Sequence, residues 1–276
     1  ASAAVTQFSL EFWPKLATAG LAAPHWPSEF GGRDATPWEH FILGEEMWRV
    51  GEPRGPQYYN VNWLGPAILK YGTPDQKQRF LHPIAQGKAI WCQGFSEPSS
   101  GSDLASMRTK AEKVEGGYRI NGSKIWTSYA FLAEHCFLLA RTSPGRNGIS
   151  VFLLPMSSPG IEVRKIPSVI GEGDIHEVFF TDVFVPEELR LGNEDEGWEI
   201  TRYALHYERV GIPRYALARR ILEETVDTLK KAGRFSDALV RTRAAQAYAV
   251  CEAGRFLVYP VLDQRARNAP QTAETS

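Results

Sequence analysis

The chain has 276 residues, 31 of them basic and 32 acidic for a net charge of -1, with 43% hydrophobic and 12% aromatic content. That is enough apolar material for a large core and one to three domains. The balanced charge, with no basic block, argues against nucleic acid and anionic membranes as partners. Cys92, Cys136 and Cys251 stand apart without C-x-x-C spacing, so neither a disulfide framework nor a zinc or other metal site is indicated, and a reducing, cytoplasmic location is expected. No run reaches the length needed to span a bilayer, and AVTQFSLEFWPKL near the start carries no basic leader.

Residues 1–89 read as a helical domain. Thr36-Pro37-Trp38-Glu39 and Thr73-Pro74-Asp75-Gln76 each offer a capping hydroxyl, a proline at the first helical position and a reciprocal partner at the third. Phe41, Ile42 and Trp48 in the first helix, and Phe80, Leu81 and Ile84 in the second, follow at helical spacing. From Ile90 the period changes, and residues 90–193 read as an antiparallel β domain. Strands are expected at 90–95, 136–140, 149–154, 161–165 and 176–185, with Asn121-Gly122 as a type I′ hairpin turn and Gly171-Glu-Gly173 as a later join. After Gly197 the helical period returns to about Tyr259, so residues 194–276 read as a second helical domain, incomplete at its polar end. The fold class is α+β, in the order α, β, α.

Several chemistries find no support. Gly171-Glu-Gly173 lacks the rest of a dinucleotide fingerprint, His176-Glu177 has no second histidine four residues on, and neither a Walker sequence nor a G-x-S-x-G elbow occurs. Lys230, Lys231, Arg234, Arg241 and Arg243 read as a solvated helix face.

Two stretches remain. In Cys92-Gln-Gly-Phe-Ser-Glu-Pro-Ser-Ser-Gly-Ser-Asp103 a short strand is broken by Pro98 and runs into small residues whose backbone N–H groups suit an anion, although such residues are also ordinary turn formers. Trp126-Thr127-Ser128 sets a flat aromatic beside two hydroxyls at a strand end, a pattern that also fits a tryptophan at a sheet rim.

Taken together these stretches resemble the acyl-CoA dehydrogenase family. Gly94-Phe-Ser-Glu-Pro-Ser-Ser-Gly-Ser-Asp103 is similar to its flavin loop, Tyr118-Arg-Ile-Asn-Gly-Ser-Lys-Ile-Trp-Thr-Ser128 to the segment leading to the flavin ring, and Val178-Phe-Phe-Thr-Asp-Val-Phe-Val-Pro186 to its last β segment. The resemblance implies FAD as cofactor and α,β-dehydrogenation of an acyl-CoA thioester to the trans-2-enoyl-CoA. It places Gln93, Phe95 and Ser96 along the flavin, with Ser96 on its pyrimidine edge and Ser102 by the pyrophosphate and the acyl-CoA. Trp126 and Thr127 would flank the ring, and the hydroxyl of Ser128 would face N5.

His206-Tyr207-Glu208-Arg209 resembles the branch of the family, including isovaleryl- and long-chain-type enzymes, that carries its base on the first long helix after the β domain. Glu208 is then the base, with His206, Tyr207 and Arg209 beside the substrate. The residues three and four away from Glu208 provide no local cation, and Pro213 predicts a kink nearby. Arg234 falls where the family places an arginine on the FAD of a neighbouring subunit, but Phe235-Ser-Asp-Ala departs from the usual Arg-x-x-Phe-Gly. A homo- or hetero-oligomer, dimer or tetramer, and an electron-transfer flavoprotein or similar acceptor are the partners implied. Two other functions remain open on this fold: a non-catalytic assembly subunit of a heteromeric dehydrogenase, and a flavin monooxygenase or oxidase.

Overall fold

The computed structural model describes residues 3–168, 175–210, 214–267 and 269, with only the helix backbone at 3–4 and 207–210. Two compact units emerge: residues 1–33 with 53–207, and residues 34–52 with 208–276.

The first unit begins with α1 (Ala3–Thr18). It continues after the break through α3 (Pro56–Tyr59), a π-helical turn (Asn60–Leu64), α4 (Gly65–Tyr71) and α5 (Pro74–Ala85). The expected capping box opens α5: Gln76 N–H donates to Thr73 Oγ1 at 3.2 Å while Thr73 N–H donates to Gln76 Oε1 at 3.1 Å. Phe80, Leu81 and Ile84 are buried, as their spacing predicts.

Eight strands form one sheet: β1 (Trp91–Gly94), β2 (Lys110–Val114), β3 (Gly117–Ser128), β4 (His135–Arg141), β5 (Ile149–Pro155), β6 (Ile161–Lys165), β7 (Ile175–Pro186) and β8 (Arg190–Leu191). The order is β6-β7-β3-β2-β4-β5-β8, with β1 on β4. Most pairs are antiparallel, but β1 and β2 each run parallel to β4, so the sheet is mixed where the sequence predicts a purely antiparallel one. Its core holds Tyr118, Ile120, Phe137, Phe152, Val178 and Val185, all with negligible exposure.

The predicted Asn121-Gly122 hairpin is a correction. β3 runs straight through both residues, and the β2–β3 reversal is the two-residue turn Glu115-Gly116, with Val114 opposite Gly117 and Gly116 at φ 75°. Asn121 Oδ1 instead accepts from Asp182 N–H at 2.8 Å, where β7 carries an extra residue. Gly122 lies so close to Thr109, the residue before β2, that a Cβ would fall 2.6 Å from its Oγ1. Both residues serve strand irregularity as readily as a turn, because each involves unusual backbone or a short polar side chain against the main chain. The Gly171-Glu-Gly173 join lies outside the described residues.

The second unit packs α2 (Pro37–Val50) with α7 (Arg214–Lys231) and α8 (Ala238–Ala266). α2 carries the other expected capping box, Thr36 with Glu39. Phe41 is buried, its ring 6.4 Å from that of Tyr215 and 6.3 Å from that of Tyr259, but Ile42, predicted within the apolar stripe, is exposed. A groove of about 640 Å³ lies along α7 and α8, lined by Leu222, Val226, Phe235, Ala245 and Tyr248 among others. The helix α6 (Gly197–Val210) runs from one unit into the other.

Among the described residues no helix is long and apolar enough to cross a membrane, and none of their histidines, cysteines and carboxylates cluster as a metal site.

Candidate active site

The site begins on β1. A buried Asn60 from the π-helical turn grips this strand from the side, its Nδ2 donating to Trp91 O at 2.9 Å and its Oδ1 accepting from Trp91 N–H at 3.0 Å. The amide thereby replaces a neighbouring strand. Gly94 ends β1 because no side chain fits there: a Cβ would sit 2.8 Å from both Cys136 Sγ and Leu138 Cδ1.

Gln93 on β1, and Phe95 and Ser96 beyond it, are half-buried. Gln93 Nε2 is shielded from solvent without a hydrogen-bond partner among the described residues. Pro98 and Ser99 form a tight turn closed by Glu97 N–H on Ser100 O, 2.7 Å, and Ser100 N–H on Glu97 O, 3.0 Å. Ser100 Oγ donates to Asp103 O at 2.9 Å. Gly101 and Ser102 then lie exposed, with open space around Gly101, and their N–H groups meet no acceptor among the described residues. The loop is therefore internally braced, yet it presents free donors on its outer side.

β3 supplies the other half. Tyr118, Ile120 and Lys124 share one parity and are all buried. Between Lys124 and Thr127 the strand takes three steps while β7 takes two, which is a bulge on β3. It moves the inward phase from even to odd positions: Thr127 and Tyr129 are buried, whereas Ser128 is exposed and Trp126 is 60% exposed. Trp126 and Tyr129 both have φ of 60°, a left-handed conformation that disfavours bulky side chains. Strained backbone on either side of Thr127-Ser128 is the kind that persists where function demands a particular orientation. Thr127 Oγ1 is buried and without a hydrogen-bond partner among the described residues, and Tyr129 packs 6.3 Å from Tyr59, whose ring in turn lies 4.5 Å from Trp63.

The halves are joined by contacts that sequence reading missed. Lys124 Nζ donates to Glu97 Oε1 at 2.8 Å and to Phe95 O at 3.0 Å. The Glu97 carboxylate also accepts the N–H groups of Arg108, 2.6 Å, and Thr109, 2.9 Å. Ile125 N–H donates to Ser96 O at 2.9 Å. Burial works to raise the Glu97 carboxyl, but the Lys124 charge and these hydrogen bonds outweigh it and hold it below the usual carboxylate range. Burial draws the Lys124 ammonium down, and Glu97 opposes that shift. The available signal was parity: Lys124 occupies the inward phase already set by Tyr118 and Ile120.

The structure brings Gln93, Phe95, Ser96, Ser102, Trp126, Thr127 and Ser128 onto one unit, with the segments 95–97 and 124–125 in direct contact. On α6, Ile200, Thr201 and Ala204 form the buried stripe and His206 is half-buried. Tyr207, Glu208 and Arg209 are placed in the helix, but their side chains lie outside the described residues, as does the predicted kink at Pro213. Arg234 opens a short 3-10 turn, exposed and without an ion-pair partner among the described residues.

Family models for the N-terminal, middle and C-terminal domains of acyl-CoA dehydrogenase match residues 2–88, 92–183 and 195–276. This chain belongs to the acyl-CoA dehydrogenase family. It is therefore a member of an oxidoreductase family that uses FAD. It is 41% identical over 217 residues to the acyl-CoA dehydrogenase FadE34 of Mycobacterium tuberculosis, covering 78% of this chain but 30% of that protein. With the acyl-CoA dehydrogenase IpdE1 of the same organism it shares 35% over 261 residues, 93% of this chain and 68% of the relative. Among solved structures, the Tcur3481-Tcur3483 steroid ACAD superposes with a TM-score of 0.90 at 30% identity, over 98% of this chain and 71% of that one. The ChsE4-ChsE5 complex from Mycobacterium tuberculosis gives 0.88 at 29%, over 99% and 72%.

The residues present fit FAD. Free N–H groups on an open small-residue turn suit a pyrophosphate, the exposed indole of Trp126 suits a flat ring, and the orphaned Gln93 Nε2 and Thr127 Oγ1 are polar atoms left over once the fold is satisfied.

Proposed function

We propose that the protein is an FAD-dependent acyl-CoA dehydrogenase that converts an acyl-CoA thioester to its trans-2-enoyl-CoA. The observation that carries this reading is the left-handed, bulged Trp126 and the exposed Ser128 held against a braced loop with free donors. When bound, FAD supplies the acceptor for two electrons and the β hydrogen. Ser96 and Gln93 would hold the pyrimidine edge, Gly101 and Ser102 the pyrophosphate, and Trp126, Phe95 and Thr127 would line the ring, to which Ser128 would offer its hydroxyl. Glu208 takes the α proton on its carboxylate. Its support is the match of His206-Tyr207-Glu208-Arg209 to the branch motif. His206, Tyr207 and Arg209 orient the thioester around it.

The substrate class this reading favours is a bulky steroid-type acyl thioester, supported by the likeness to a steroid ACAD. An electron-transfer flavoprotein or similar carrier reoxidises the protein.

A second reading has specific support: the chain is one partner of a heteromeric dehydrogenase and completes a site together with another subunit. Two of the similar structures, Tcur3481-Tcur3483 and ChsE4-ChsE5, join two components, and Arg234 is exposed without the Phe-Gly that usually follows it. The visible spectrum of the full-length protein, followed by anaerobic addition of steroid-type and straight-chain acyl-CoA thioesters, decides between the readings. A yellow protein bleached by the steroid-type thioester is expected. A protein that stays colourless with FAD alone but turns yellow on addition of a partner subunit favours the second reading, and one that never binds FAD refutes both.

A further inference from the structure

We propose that Lys124 is a positioning residue for the flavin site: its ammonium, paired with Glu97, fixes the Phe95–Ser96 peptide and polarises the Ser96 N–H toward the cofactor. The proposal rests on the FAD-binding reading above.

Lys124 has no exposed side-chain surface and Glu97 only 5%. Stability alone is a poor reason for such a pair, since apolar side chains of similar volume commonly replace buried ion pairs at no loss. What an apolar pair would not reproduce is the second bond, from Lys124 Nζ to Phe95 O at 3.0 Å. That carbonyl and the Ser96 N–H belong to one peptide unit. A cation on the oxygen draws density from the nitrogen, so the N–H becomes a stronger donor, and charge-assisted bonds in a low-dielectric setting polarise their neighbours most. The Ser96 N–H meets no acceptor among the described residues, so this donor strength is available to a ligand. Ser96 O accepts from Ile125 N–H at 2.9 Å, directly before the bulge that turns Trp126 outward. One ammonium thus fixes the loop, and one backbone bond carries that placement to the strand segment. A strengthened donor at the pyrimidine edge stabilises the electron-rich reduced ring more than the oxidised one.

The test compares the full-length, FAD-loaded protein with the K124M/E97Q double variant, in which the charged pair is removed as a unit and no buried charge is left unpaired. The double variant is expected to bind oxidised FAD about 10-fold more weakly. Reduced FAD should lose a further factor of about 10, seen as a midpoint potential lower by about 30 mV for a two-electron couple. K124R, which keeps the charge, should recover most of the potential. A folded double variant with unaltered affinity and potential overturns the proposal. Should the double variant not fold, E97Q serves alone. Its ammonium loses the counter-charge that opposes the downward pull of burial, so the flavin potential should show a pH-dependent step absent from wild type, and a profile parallel to wild type overturns the proposal. If the wild-type protein binds no FAD, it is the FAD-binding reading that has failed.

Discussion

The segment from Trp91 to Tyr129 and the helix pair α7–α8 manage charge in opposite ways. In the first, one lysine and one glutamate are withdrawn from water, and their strong bonds tie the loop to β3 and to the Arg108-Thr109 backbone. In the second, charges lie on the surface in helix-local pairs such as Arg219 with Glu223 at 3.0 Å and Arg220 with Glu224 at 3.9 Å, while Phe256, Leu257 and Val250 are left exposed. The first region pairs its buried charges internally. The second presents apolar surface that the described residues do not cover, which is the property expected of an assembly face.

The sharpest way to break this comparison is to unpair the buried site. Lys124→Met alone strands the Glu97 carboxylate, and a loss of about 3–5 kcal/mol is expected in denaturant unfolding. A loss below about 1 kcal/mol would mean that the pair is as dispensable as those on the helices. Next in size is the chemistry. Glu208→Gln should leave FAD binding intact and slow flavin reduction at least ~100-fold in rapid mixing, equivalent to about 2.7 kcal/mol of barrier. An unaltered rate places the base elsewhere.

A pH effect follows from His135, which stacks on Trp91 at 4.6 Å and whose pKa is lowered to about 4, chiefly by burial and secondarily by the charge of Arg79. Between pH 6.5 and 4 the unfolded chain takes up a proton that the folded protein refuses. Stability is therefore present above pH 6.5 and declines as the pH falls toward 4. The ring retains some solvent contact, so the decline attributable to it is about 1–2 kcal/mol after allowance for screening. His135→Phe should flatten that part of the melting-temperature profile, and an unchanged slope would acquit the residue. The smallest effect belongs to the helices. Arg219→Gln, which removes bonds to Glu223 and to Glu252 at 2.7 Å, should cost no more than about 1 kcal/mol and lose even that at high salt.

The helix starts at Thr36 and Thr73 were legible in the sequence because a capping box is satisfied within four residues and needs no knowledge of the rest of the chain. The strands could be read for a similar reason, since the alternation of Tyr118 and Ile120 already states which face is buried. The small-residue turn and the Trp126-Thr127-Ser128 stretch were likewise visible as residue types in order. Register was not legible. Asn121-Gly122 satisfies the local requirements of a hairpin turn as well as those of a strand facing an extra residue in β7, and only the pairing of β3 with a strand some sixty residues later chose between them. The bulge at Trp126 is of the same kind: the sequence names the residue, but the mismatch of three steps against two turns it outward. The burial of Lys124 was settled last. A lysine in a strand ordinarily reaches water, and this one is held inside because the fold brings to it a carboxylate 27 residues away, together with a carbonyl from the same loop. Local hydrogen bonding and periodicity thus determined the elements and the candidate residues, whereas long-range pairing decided which of those residues meet and which charge can remain buried.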